Sequence, residues 1–175
     1  CVTTGFDRPN LYFGVQTPHS KPLALLELLE ARRDRCGIVY CATRKAVEEV
    51  EALLRDKGFS ATRYHAGLSE AERRRNQEDF VFDRKSVMVA TNAFGMGIDK
   101  SNVRYVIHHN MPGSIEAYYQ EAGRAGRDGE PSECLLFWSD GDVSTCRFFI
   151  ERELGNEELS PVEVDVVRAS RRRLL

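Results

Sequence analysis

Two arginines set three apart among glycines are the first residues whose types suggest chemistry. In Tyr118-Tyr119-Gln120-Glu121-Ala122-Gly123-Arg124-Ala125-Gly126-Arg127-Asp128-Gly129, a helix that starts at Ser114 breaks into a glycine-rich end. Residues at that spacing reach out on one side. Each guanidinium is a planar fork that bonds two oxygens, so Arg124 and Arg127 can meet one anionic target, with phosphate the natural fit. A solvated arginine pair is the bland alternative, and the surrounding glycines weigh against it. A second segment, Val87 to Lys100, reads as a strand ending in a loop. There Thr91 and Asn92 offer hydrogen bonds, Gly95 and Gly97 allow close backbone approach, and Asp99 can accept from a ribose hydroxyl. Gly95-x-Gly97 alone is a weak signal, because position 100 is lysine where the third glycine of a dinucleotide fingerprint belongs. A tight surface turn is the competing explanation. In the third segment, Ile38 to Lys45, a strand enters a helix capped by Thr43. Free amides at a helix start, a hydroxyl and the cations Arg44 and Lys45 suit phosphate. Read by itself, the segment asks only for a capping threonine and a solvated arginine.

The elements that must position these segments alternate between strand and helix up to about residue 150, the pattern of βαβ units around a largely parallel sheet. Strands are expected at Leu11 to Gln16, Gly37 to Cys41, Ala61 to His65, Ser86 to Ala90, Arg104 to His108 and Glu133 to Trp138. Several are apolar at consecutive positions, as strands covered on both faces are. Ala46, Val47, Val50, Leu53 and Leu54 share one face of a helix ending at Gly58. Ser69 with Glu72 is a capping box opening a helix through Phe80, and Ser139 with Asp142 is a weaker one. Ser160-Pro161-Val162-Glu163 starts a last helix, whose Arg171-Arg172-Arg173 suits the negative end of the helix dipole. Because that helix is still running at Leu175, the chain reads as a fragment of a longer protein.

Length and composition bound the function. At 175 residues the chain holds one ordinary domain, and 42% hydrophobic with 30% charged residues argues against disorder or a fibrous repeat. A net charge of −2 excludes a generally basic nucleic-acid binder, so any nucleic-acid binding must come from local placement. Cys1, Cys36, Cys41, Cys134 and Cys146 form no metal-ligand spacing and read as free thiols. No apolar run reaches membrane-spanning length, and the first residues lack a signal-peptide pattern, so the expectation is a cytoplasmic protein, or a nuclear one in a eukaryote.

Together, Phe6-Asp7-Arg8-Pro9-Asn10, Ile38 to Arg44, Tyr64-His65-Ala66-Gly67-Leu68, Ala90 to Lys100 and Gln120 to Gly129 resemble the second RecA-like lobe of a superfamily 2 helicase. Their wording is closest to the RecQ family of DNA helicases, over roughly residues 6–150. The resemblance implies an α/β, RecA-like, doubly wound and mostly parallel sheet with helices on both faces, spanning 1–154. A loop and C-terminal helix over 155–175 would lead toward a following domain. It implies ATP and Mg2+ in the cleft between this lobe and the first RecA-like lobe of the same polypeptide. Single-stranded and partly duplex DNA would run across both, with 3′-to-5′ stepping.

The residue roles follow the same resemblance. Arg127 is the arginine finger, Arg124 stands beside it, and Gln120 relays between nucleotide and DNA. Gly97 and Asp99 line the nucleotide edge. Thr43, Arg44, His65, Gly67, Thr91 and Asn92 face DNA phosphates, with the turn carrying His108 and Pro112 nearby. His65 taken alone reads as a satisfied strand-end histidine, and Asn110 stands where the family commonly has an acidic residue. The sequence carries no G-x-x-x-x-G-K-[ST] phosphate loop and no D-E-x-H motif, so this chain alone is expected not to hydrolyse ATP. No metal is assigned to it, and a four-cysteine zinc region is expected only beyond it. Two other classes stay open: a module that binds or anneals single strands without ATP, and a small-molecule nucleotide enzyme. The latter is disfavoured by the incomplete fingerprint and the lack of an acid/base constellation.

Overall fold

The structure is a computed structural model that describes residues 8–95 and 98–142. The chain divides into a unit Cys1–Ser139 and a second unit Asp140–Leu175. Of the second unit only residues 140–142 are described, and they are helical, in line with the Ser139 start signal. The helix expected from Ser160 lies outside the described residues, as do Phe6, Asp7, Gly97, Cys1 and Cys146. Among the described residues, the order is β1 (Leu11–Gln16), α1 (Lys21–Glu30), β2 (Gly37–Tyr40), α2 (Arg44–Asp56), β3 (Ala61–Tyr64), α3 (Glu70–Val81), β4 (Val87–Ala90), β5 (Tyr105–His108), α4 (Ile115–Ala122) and β6 (Ser132–Phe137).

These strands form one sheet in the order β1-β6-β5-β2-β4-β3, and every pairing is parallel. The doubly wound α/β fold expected from the alternating pattern is therefore present, and the strands lie within a residue of their expected bounds. Central strands β2, β4 and β5 are buried at every position, which explains their continuous apolar runs. Alternate side chains divide between two cores. Val39, Val87, Val89, Tyr105 and Ile107 pack with Leu25 and Leu29 of α1 and Val47, Val50 and Leu54 of α2. On the other face, Ile38, Tyr40, Met88, Ala90 and Val106 meet Phe80 of α3 and Ala122 of α4. Among the described residues no helix is long and apolar enough to cross a membrane.

Local signals account for most helix boundaries. Thr43 caps α2 by accepting from the Ala46 amide, and Ser69 and Glu72 form the full reciprocal box at the start of α3. Ser114 caps α4 in the same way. Helix α1 is the one that capping and periodicity do not announce. Ser20 makes no side-chain cap bond, and Leu23, Leu25, Leu26, Leu28 and Leu29 surround the axis so that no polar face stands out.

The connection from β4 to β5 matters most for the site. Among its described residues it carries no helix; it passes β2 to reach its other neighbour, with Phe94, Ile98 and Val103 buried in the core of the α3/α4 face.

Candidate functional site

The site residues gather in two places, joined by α4. The first is the turn after Gly123, at the end of α4, which lies against the β4–β5 crossover. Arg124 folds back so that its Nη1 donates to the Gly95 carbonyl at 2.6 Å. Gly95 has φ +148°, and a Cβ there would stand 2.0 Å from Arg124 Nη2, so the guanidinium occupies the space that a side chain would fill. Arg124 Nε is buried without a hydrogen-bond partner. Nearby, the Tyr40 hydroxyl donates to the Phe94 carbonyl at 3.1 Å, and burial raises its pKa so that it stays protonated.

Arg127 is placed differently. Its Nη1 donates to the Ile98 carbonyl at 2.9 Å and to Asp99 Oδ1 at 3.3 Å, with the Arg127 and Asp99 side chains 35% and 93% exposed. Exposed ion pairs contribute about 0–1 kcal/mol, so exchanging Asp99 for another anion costs this guanidinium little. Gln120 is exposed on α4, one turn before Gly123, and the turn thus brings Arg124, Arg127 and Asp99 together.

The second place is the row of loops after β2, β3, β4 and β5. Thr43 and Arg44 are exposed, and the Ala42 amide donates to Asn110 Oδ1 at 3.2 Å, joining the β2 and β5 ends. Exposed Gly67 packs against Arg44, where an added Cβ would come within 3.2 Å of Arg44 Cδ. Asn92 is exposed and Pro112 half-buried, whereas Thr91 is buried with its amide bonded to the Tyr64 carbonyl at 3.1 Å.

The two histidines of the expected DNA set, His65 and His108, lie inside the protein. His65 Nδ1 accepts from the Gly67 amide at 3.1 Å, so its Nε2–H donates to Glu48 Oε1 at 2.8 Å. That ring fastens the loop and presents no free nitrogen to solvent. His108 is 1% exposed, stacks on Tyr40 and pairs through Nε2 with Glu121 Oε2 at 2.8 Å. Its imidazole reaches no surface. Surface-available groups of the expected DNA set are therefore Thr43, Arg44, Gly67 and Asn92.

Three features escape a reading by residue type. Arg8 and Asn10 bond to the backbone of the arginine turn from more than a hundred positions away. Arg104 pairs with Asp128, and that hydrogen bond holds the Asp128 carboxyl below its ordinary range. Glu121 is buried against His108. Side chains that bond distant carbonyls leave no periodic or capping trace, although Arg8-Pro9-Asn10 belongs to the strings that carry the family resemblance.

Comparison with known proteins adds lineage to this geometry. Residues 20–129 match the helicase conserved C-terminal domain. The ATP-dependent DNA helicase RecQ of Bacillus subtilis (strain 168) is 48% identical over 157 residues, covering 90% of this chain and 27% of that protein. The ATP-dependent helicase wrn-1 of Caenorhabditis elegans is 44% identical over 166 residues, covering 90% of this chain and 16% of that one. The chain thus spans about a quarter or less of these curated relatives. Among solved structures, a DEAD box protein from the hyperthermophile Methanococcus jannaschii superposes with a TM-score of 0.68 at 26% identity. That match covers 85% of this chain and 41% of the other.

Proposed function

The chain belongs to the helicase conserved C-terminal domain family, as a lobe of RecQ type, and from that premise we propose that it is the second motor lobe of an ATP-dependent 3′-to-5′ DNA helicase. One observation carries the reading. Arg127 is exposed and, among the described residues, tied by an Ile98 carbonyl and a solvated Asp99, while Arg124, in the same turn, is anchored on Gly95. A guanidinium that is positioned yet cheaply released is what an arginine finger requires.

The donors fit one side of a triphosphate. Arg127 exchanges Asp99 for phosphate oxygens when a first RecA-like lobe closes on the nucleotide, and it stabilises charge that develops in the transition state. Such fingers contribute roughly 10³- to 10⁵-fold in rate. Arg124 holds the crossover in place beside it, and Asp99 lines the nucleotide edge. Among the described residues no group of three His, Cys, Asp or Glu could hold a metal ion. Mg2+ would be held by the first lobe, as the family resemblance implies, and would supply charge neutralisation there. With neither a phosphate loop nor an acidic motif in its sequence, the chain alone does not turn over ATP.

Thr43, Arg44, Gly67 and Asn92 track the backbone of single-stranded DNA across the strand ends, and Thr91 supports the Asn92 loop from beneath. Helix α4 starts after the β5 end and finishes at the arginine turn, so Gln120 lies on the element that spans both places. Closure that changes the grip on DNA converts hydrolysis into stepping. The test is Gln120→Ala in the intact helicase. ATP turnover without DNA should persist while stimulation by single-stranded DNA and unwinding are lost. Equal loss of basal and stimulated turnover would contradict a relay.

A further inference from the structure

We infer that Arg8 and Asn10 are positioning residues for the arginine turn, fixing through its backbone where the Arg127 guanidinium stands. The inference rests on the finger reading of Arg127 and adds what sets its place. Arg8 Nη2 donates to the carbonyls of Ala125 at 2.9 Å and Gly126 at 2.7 Å. Asn10 Nδ2 donates to the carbonyls of Gly126 at 2.8 Å and Glu130 at 3.0 Å. Those acceptors bracket Arg127 on both sides. Arg8 Nε lies 3.5 Å from Asn10 Oδ1, which turns the amide so that its NH2 faces the turn.

Sterics close the arrangement. Gly126 has φ +54°, and a Cβ there would stand 2.5 Å from Asn10 Nδ2 and 2.8 Å from both the Glu130 carbonyl and Ser132 Oγ. The turn therefore sits directly on Asn10, with its own amide bonded to the Val103 carbonyl at 2.8 Å. Residues 8–10 are in turn fixed to the sheet. The Leu11 amide donates to the Arg8 carbonyl and the Ser132 amide to the Asn10 carbonyl, each at 2.9 Å, where β1 begins to pair with β6. The finger is thus referenced to the sheet through two polar side chains that contribute nothing to either apolar core. A reacting group displaced by about 1 Å loses on the order of 100-fold in rate, so these bonds govern kcat more than binding.

The experiment uses the intact helicase. Asn10→Asp keeps the shape but sets a carboxylate, which cannot donate, against two carbonyls. DNA-stimulated kcat should fall about 10- to 100-fold, with ATP KM and single-strand affinity unchanged within about twofold. Arg8→Lys retains a charged donor and should lose less than Arg8→Ala. Adding either change to Arg127→Ala should cost nothing further, because each acts through the same guanidinium. Wild-type kcat in Asn10→Asp and Arg8→Ala would overturn the inference. So would losses of kcat, ATP affinity and DNA affinity in equal proportion, the signature of a smaller folded fraction. If Asn10→Asp does not fold, the Arg8→Lys and Arg8→Ala pair decides by the same split. Arg127→Ala measured alongside separates the claims. Full turnover in that variant sinks the finger reading and this inference together, whereas its inactivity beside a wild-type Asn10→Asp sinks this inference alone.

Discussion

Three residues apart in sequence, Arg124 and Arg127 meet opposite surroundings, and the difference traces to one glycine. Gly95 leaves room for the Arg124 guanidinium and offers its carbonyl at 2.6 Å, so Arg124 is spent on structure while Arg127 stays available. Gly95→Ala should therefore act twice. The positive φ strains alanine, and the new Cβ expels Arg124 from its bond, for a combined loss of about 1–3 kcal/mol. Denaturant unfolding should show that loss, with a drop in DNA-stimulated turnover beside it; unchanged stability and turnover would mean that Arg124 is not fixed by Gly95. Type and spacing were enough to single out Arg124, Arg127 and Asp99, because charged forks at a glycine-rich turn are a local signal. His65 by itself read as a satisfied strand-end histidine, as the structure has it, but neither His65 nor His108 had a partner legible in that way. Each is decided by a carboxylate on a neighbouring helix, Glu48 or Glu121, and no local pattern states which histidine will find one.

Among the elements, those with a local chemical signature were the readable ones. The Ser69–Glu72 box is reciprocal, and the Glu72 carboxyl is held below its ordinary 4.5 first by the Ser69 hydroxyl and then by the Ser69 amide. A carboxyl with a lowered folded pKa stabilises fully above its unfolded value and loses that contribution as pH falls through the folded one. Loss of the Ser69 cap in Ser69→Ala should cost about 1 kcal/mol at neutral pH, and the gap to wild type should narrow as pH falls through the carboxylate range. Unfolding midpoints of both proteins between neutral and acid pH check this; a gap that widens toward acid would contradict the box as the source. Helix α1 shows the opposite case, since leucines around its axis and an unbonded Ser20 leave neither period nor cap to read. The β4–β5 crossover was readable only as a loop. Its descent along the α3/α4 face depends on Phe94 and Ile98 finding a core built by distant strands.

At the scale of the whole molecule, one parallel sheet separates a strand-end surface from an arginine turn, and α4 joins them. Few cations stand on the strand-end surface and the net charge is −2, so single-strand binding should weaken with salt and depend little on sequence. Arg44→Ala should lower the slope of log affinity against log salt by about one. An unchanged slope would remove Arg44 from the DNA path. The most direct test of the motor reading is Arg127→Ala in the intact helicase, with ATP affinity and DNA-stimulated turnover measured on the same preparation. The account predicts near-normal ATP affinity with turnover reduced by roughly 10³-fold or more. A loss of affinity and turnover in equal proportion would make Arg127 a ground-state ligand and contradict its role as the finger.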